Sequence, residues 1–135
     1  MEDTIFMKII QREVPADIVY EDEDTLAFLD IHPNNPGHTL VVPKKPCRDI
    51  FDIDDETLAA VWRTVKKVAR AVRDVTGAEG LNINTNNGSA AGQVVFHYHV
   101  HVIPRFANDG YRLWKGKEYS PGEAEKMAEK IRGAF

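Results

Sequence analysis

Apolar and polar positions alternate along the chain with two distinct periods. Ile5, Phe6, Ile9 and Ile10 recur at helical spacing within residues 4–11, and Pro15 sets a boundary after them. Short β-prone runs follow at residues 18–20, 25–29 and 39–42, with residues 21–24 reading as a tight turn. His32-Pro33-Asn34-Asn35-Pro36-Gly37 is a loop. The strongest helix spans residues 55–75, with Asp54 or Asp55 as cap, Glu56 in the first turn and Gly77 just past the end. Leu58, Val61, Val65, Val68, Val72 and Val75 form its apolar stripe, and Arg63, Lys66, Lys67, Arg70 and Arg73 its solvated side. Residues 81–86 read as a strand, 87–93 as a loop, and 94–103 as the longest strand, stopped by Pro104. The chain then turns at Asn108-Asp109-Gly110. A final helix opens at Ser120-Pro121-Gly122-Glu123, with Ser120 as cap, Pro121 as first helical residue and Glu123 bonding back. Clustered strands without strict βαβ alternation predict an α+β fold with a mainly antiparallel sheet.

Length and composition narrow this further. The 135 residues suit one domain at a typical ~150 residues each, and neither a repeat nor a linker interrupts them. With 43% apolar and 28% charged residues, the chain argues against wholesale disorder. Seventeen basic and 21 acidic residues give a net charge of -4, which argues against a non-specific nucleic-acid binder but not against one small phosphorylated ligand. Cys47 stands alone, the N-terminus has no secretory pattern, and no apolar run is long enough for a bilayer. The expectation is a cytoplasmic protein with neither a membrane nor a nucleic-acid partner.

The chemistry concentrates in five histidines, three of them at 97, 99 and 101. On a strand this alternation turns His97, His99 and His101 to one face and Phe96, Tyr98, Val100 and Val102 to the other. The outer two would lie roughly 13 Å apart along a strand rising about 3.3 Å per residue, too far to surround one ion together. Two of them with a distant ligand remain an open metal reading. The other use is a row along a phosphate, with the central imidazole as nucleophile, because imidazole is largely neutral at pH 7.

The segment His97-Tyr98-His99-Val100-His101-Val102-Ile103, preceded by Gly92-Gln93, resembles the signature of the histidine triad (HIT) superfamily. Asp3-Thr4-Ile5-Phe6, Val14-Pro15-Ala16, Leu26-Ala27-Phe28, Asp30-Ile31, Pro36-Gly37-His38 and Val42-Pro43-Lys44 are similar to residues of its Hint branch. The resemblance covers about residues 3–106. It implies one HIT domain over residues 1–135, with 107–135 as a tail carrying a helix. The implied fold is a five-stranded, mainly antiparallel sheet with a long helix and short helices, continued across a homodimer.

The resemblance also implies a function. HIT proteins act at the α-phosphate of nucleoside phosphoramidates, dinucleoside polyphosphates or related compounds. Here His99 would be the nucleophile, forming a nucleotidyl-histidine that water hydrolyses, and His101 would donate to the phosphate. His97 and His38 would hold the row in register. Asp30 would accept the ribose hydroxyls, while Ile5, Phe6, Ile9, Phe28 and Ile31 would wall a purine pocket. Asn86, Gln93 and Val94 would lie on the phosphate side. The chemistry needs no metal or other cofactor. His101, near the ordinary pKa of about 6.5, would carry an extra proton opposite a dianionic phosphate, and activity should fall in acid as His99 protonates.

Three departures qualify the resemblance. Val94 stands where many members carry a hydroxyl, so a nucleotide-binding adaptor with little turnover is the alternative. Thr4, Met7 and Pro46 occupy positions where some bacterial relatives hold zinc, so no zinc is expected. The longer tail, with Tyr111 and Trp114, is a candidate specificity element. Histidine rather than glutamine at 101 favours a hydrolase. The sequence names neither the leaving group nor the purine.

Overall fold

The computed structural model describes residues 3–135. Helix α1 (Ile5–Ile10) starts where Thr4 Oγ1 accepts the Met7 N–H at 3.2 Å, and it buries Phe6 and Ile9. Strands β1 (Ile18–Glu21) and β2 (Thr25–Leu29) form a hairpin. Its turn is tied by Asp22, whose Oδ1 accepts the N–H groups of Asp24 and Thr25. Strand β3 (Thr39–Pro43) follows, then helix α2 (Asp55–Thr76), β4 (Gly80–Asn84), a short 3₁₀ turn (Ser89–Ala91), β5 (Val100–Arg105) and α3 (Glu123–Arg132). The sheet order is β1-β2-β3-β5-β4, every neighbouring pair antiparallel. This is the α+β, five-stranded arrangement expected.

Helix α2 begins at Asp54, whose Oδ1 accepts the Thr57 N–H at 2.8 Å, and ends at Gly77 with φ +68°. Its Val61, Val65, Val68 and Val72 form one core with Ala27, Val41, Val100 and Val102 of one sheet face and with Tyr98 just before β5. Val75, expected in that stripe, is 86% exposed, so the buried part of the stripe ends at Val72. On the other face Leu26, Phe28, Leu40 and Val42 meet Phe6 and Ile9 of α1. The period-two pattern of β2 and β3 therefore feeds two cores, and the histidines lie on the α1 side. Gly37 adopts φ +102°, and a Cβ there would stand 2.7 Å from Thr76 Cγ2, so only glycine lets this loop run beneath the end of α2 into His38.

The bounds of β4 and β5 differ from the expectation. Residues 94–99 are not in the ladder: β5 begins only at Val100. In the approach, the Tyr98 N–H donates to Cys47 O at 2.7 Å and Thr85 Oγ1 donates to His99 O at 2.8 Å, so loop and side-chain partners replace strand neighbours. Phe96, expected to pack on the helix layer, is 41% exposed in consequence. Pro104 does not stop β5. Pairing with β3 already ends at Val102, and the Pro104 carbonyl faces the loop, accepting from Asn35 Nδ2 at 2.8 Å. The proline's missing N–H therefore falls on an edge with no strand to receive it. Strand β4 likewise runs over Gly80–Asn84 rather than 81–86. In the tail, Glu123 Oε1 accepts the Ser120 N–H at 3.0 Å, but Gly122 at φ +79°, not Ser120, is the N-cap.

Candidate functional site

His101 sits on β5, with Leu40 of β3 and Asn84 of β4 as its cross-strand neighbours. His99 precedes it, the two ring centroids 5.1 Å apart. The Phe6 ring meets His99 edge-on at 4.9 Å, so α1 fixes the tilt of that imidazole.

The hydrogen bonds assign each ring a tautomer. The Asn34 N–H donates to His38 Nδ1 at 3.1 Å, which puts the proton of a neutral His38 on Nε2. That Nε2–H faces His101 Nδ1 at 2.9 Å, so His101 accepts there and keeps its own proton on Nε2. His99 Nδ1–H donates to His97 O at 2.7 Å, which leaves Nε2 with a free lone pair. His97 donates through Nε2–H to Pro43 O at 2.8 Å. One ring thus offers a nucleophilic nitrogen and its neighbour offers a donor.

Burial keeps these rings uncharged. It lowers the pKa of His99 against a weaker upward pull from the His97 carbonyl and Asp30. Burial also lowers His38, with Asp30 opposing, and lowers His97. His101 is pushed down to about 4 by burial and then by His99 and His38. The expectation of an ordinary value for His101 is therefore corrected for the free protein: burial and two neighbouring imidazoles, His99 and His38, disfavour its charged form.

His99 and His101 open into a cleft of about 500 Å³. Ile5, Phe6, Ile9, Phe28 and Ile31 form its apolar wall, and Asp30, Asn86 and Val94 also line it. Asp30 Oδ1 accepts the His32 N–H at 2.9 Å, and Oδ2 lies 3.6 Å from His38 Nε2. His38 and His97 stand behind the rings that line the cleft. Gln93 is also absent from the wall. Its Oε1 accepts the Gly88 N–H, and its Nε2 donates to the carbonyls of Arg48 and Val95, so the side chain is spent on holding the loop. The reading of the residues did not single out Leu29, His32, Leu40 or Val95, which line the cleft as well. Leu40 carried a signal, since β3 must present it beside His101; the loop residues carried none.

Asp30, His38 and His101 bring potential metal ligands within 4.8 Å of one another. The two imidazole nitrogens already share a proton, so an ion there would have to displace it. Thr4, Met7 and Pro46 supply no thiolate or imidazole.

An antiparallel sheet thus presents buried imidazoles beside a carboxylate and an apolar wall in one cleft. The chain belongs to the HIT family: the family model described as "HIT domain" matches residues 11–108. It is 44% identical over 134 residues to "Protein hit" of Bacillus subtilis, covering 96% of this chain and 92% of that one. It is 38% identical over 130 residues to the adenosine 5'-monophosphoramidase hnt1 of Schizosaccharomyces pombe, covering 94% of each. A crystal structure of a HIT family member from Bacillus subtilis superposes with a TM-score of 0.91 at 43% identity, covering 99% of this chain and 98% of that one.

Proposed function

We propose that the protein is a nucleotide hydrolase that works through a covalent intermediate on His99. The observation that carries this reading is the His99 Nδ1 bond to a backbone carbonyl at 2.7 Å, with the other ring nitrogen left unpaired toward the cleft. In the reaction Nε2 attacks the α-phosphorus and the leaving group departs on the opposite side. A water then cleaves the phosphorus–nitrogen bond and releases the nucleoside monophosphate. The Nε2–H of His101 faces the charge that develops on a non-bridging oxygen, where a fixed donor is worth most. His38 holds that donor in its tautomer, and the His97 carbonyl holds the nucleophile in its own. Asp30 accepts the ribose hydroxyls, and the wall of Ile5, Phe6, Ile9, Phe28 and Ile31 takes a purine. Asn86 and the Val94 backbone lie at the phosphate end.

The Schizosaccharomyces pombe relative, named an adenosine 5'-monophosphoramidase, supports this class of substrate. We further propose a homodimer whose sheets join edge to edge, a reading supported by the open outer edge of β4 among the described residues. Incubation with adenosine 5'-phosphoramidate followed by acid-free mass spectrometry should detect an adenylyl adduct on wild type and none on His99→Ala. Val94 favours the adaptor reading, since a valine hands no proton to a leaving amine. Tight AMP binding with neither adduct nor turnover would establish that alternative.

A further inference from the structure

Strand β4 and the histidine segment separate just before the nucleophile. The last pair of their ladder joins Asn84 to His101, so the His99 carbonyl lies past its end. Beyond that pair the chain takes up other partners. Asn86 lines the histidine cleft, Asn87 Oδ1 accepts the Ile50 N–H at 2.7 Å, and the Gly88 N–H donates to Gln93 Oε1 at 2.8 Å. Thr85 is the residue between ladder and loop. Its Oγ1 donates to His99 O at 2.8 Å. A side-chain hydroxyl thus carries the grip of β4 one step further, onto the residue where the backbone ladder has stopped.

His99 is under two kinds of restraint. Its Nδ1–H bonds to His97 O at 2.7 Å, two residues back on the same segment. That bond sets the ring against its own backbone and travels with it. Where the backbone sits relative to the sheet is fixed from outside. The Tyr98 N–H donates to Cys47 O at 2.7 Å on one side of His99, and pairing with β3 begins at Val100 on the other. Thr85 supplies the bond that falls on His99 itself. Because Thr85 immediately precedes Asn86, the same bond ties the place of Asn86 on the cleft wall to the place of the imidazole.

We infer that Thr85 is a positioning residue for the reaction, its hydroxyl holding the His99 backbone at the spacing from Asn86 that in-line attack on the α-phosphorus needs. The inference rests on the reading of His99 as nucleophile. Thr85 takes no part in making or breaking bonds, and its proton stays on Oγ1, shared with His99 O. Without it the tautomers remain as they are, since His99 Nδ1 keeps its bond to His97 O and His101 Nδ1 its bond to His38. What changes is distance. Displacing an attacking group by about 1 Å costs about a hundredfold in rate. The bond from Tyr98 to Cys47 and the pairing of Val100 limit the drift, so the expected cost is about tenfold or more. Nucleotide binding by Asp30 and the apolar wall does not depend on this hydroxyl. The loss therefore falls on kcat and spares KM.

The test is kinetic, with adenosine 5'-phosphoramidate as substrate of the whole chain. Thr85→Val keeps the branched shape and removes the donor, whereas Thr85→Ser keeps the donor. In single-turnover mixing, Thr85→Val should form the adenylyl adduct on His99 about tenfold or more slowly than wild type. Its KM and its affinity for AMP should stay within about twofold. The pH at which activity falls should not move, because the hydroxyl touches His99 O rather than the ring. Thr85→Ser should return adduct formation to within about threefold of wild type. The proposal is overturned if KM and AMP affinity worsen as much as the rate, or if Thr85→Ser is as slow as Thr85→Val. A Thr85→Val protein without a cooperative melt also overturns it, because the hydroxyl would then hold the fold rather than the nucleophile. Adduct formation at the wild-type rate in Thr85→Val removes the proposal and leaves the nucleophile standing. No adduct on wild type removes both.

Discussion

Four imidazoles gathered behind one cleft would repel one another if charged, and burial lowers the pKa of every one. The nucleophile's lone pair is therefore available at neutral pH. The proposed kcat/KM should stay level from about pH 8 to about 6.5 and fall only in more acid solution, as His99 takes a proton. A pH–rate profile rising steadily into strong acid would contradict the assignment. The same shifts tie stability to pH. An unfolded His101 titrates near 6.5, whereas the folded one titrates at about 4. Between those values the unfolded chain binds more protons, so stability is full above about pH 6.5 and declines as pH falls through the folded value. Thermal melts from pH 7 to 4 should show this decline, and His101→Asn should make it shallower without abolishing it, since His38, His97 and His99 are lowered too. The alternation of residues 97, 99 and 101 made the row legible in the sequence. The proton positions were not, because they depend on the Asn34 N–H, which reaches His38 only once the 32–38 loop has closed.

At the scale of elements, the segment before β5 shows how a side chain can replace a ladder. Gln93 makes three hydrogen bonds that bind the 3₁₀ turn, the Arg48 loop and the entry to the histidine segment. It is 4% exposed, so water cannot take its place. Gln93→Ala should cost about 1–3 kcal/mol in urea unfolding, the penalty of buried backbone groups left without partners. Gln93→Glu should cost a similar amount, since a carboxylate cannot donate to Arg48 O. An unchanged midpoint in both variants would show that the loop is held by something else. This also explains where the sequence reading overran. Residues 94–99 keep the composition and much of the alternation of a strand, but strand pairing requires a neighbour, and here the neighbours are a glutamine amide and loop carbonyls. Helix α2 was read nearly to its ends, because Asp54 and Gly77 act locally. Pro104 misled for the opposite reason: its effect depends on which strand edge is free, a property of the sheet.

At the scale of the whole molecule, the tail is the part that the core does least to explain. No residue of α3 is buried, and Met127 and Ile131 expose apolar surface, as do Leu113 and Trp114 in the stretch before it. Strand β4 leaves an open edge on the same chain. An open edge with apolar side chains nearby is what an association surface requires, and water alone satisfies it poorly. Sedimentation equilibrium at micromolar concentration should accordingly return twice the 15.2 kDa chain mass. The melting temperature should rise with protein concentration, because a folded dimer is favoured over unfolded chains by mass action. Removing residues 120–135 should leave the far-ultraviolet signature of the sheet intact, since that helix contributes nothing to either core. A single-chain mass throughout the micromolar range, with a melting temperature independent of concentration, would rule out the dimer. The proposed histidine chemistry would then belong to a monomer, since every group assigned to it comes from one chain.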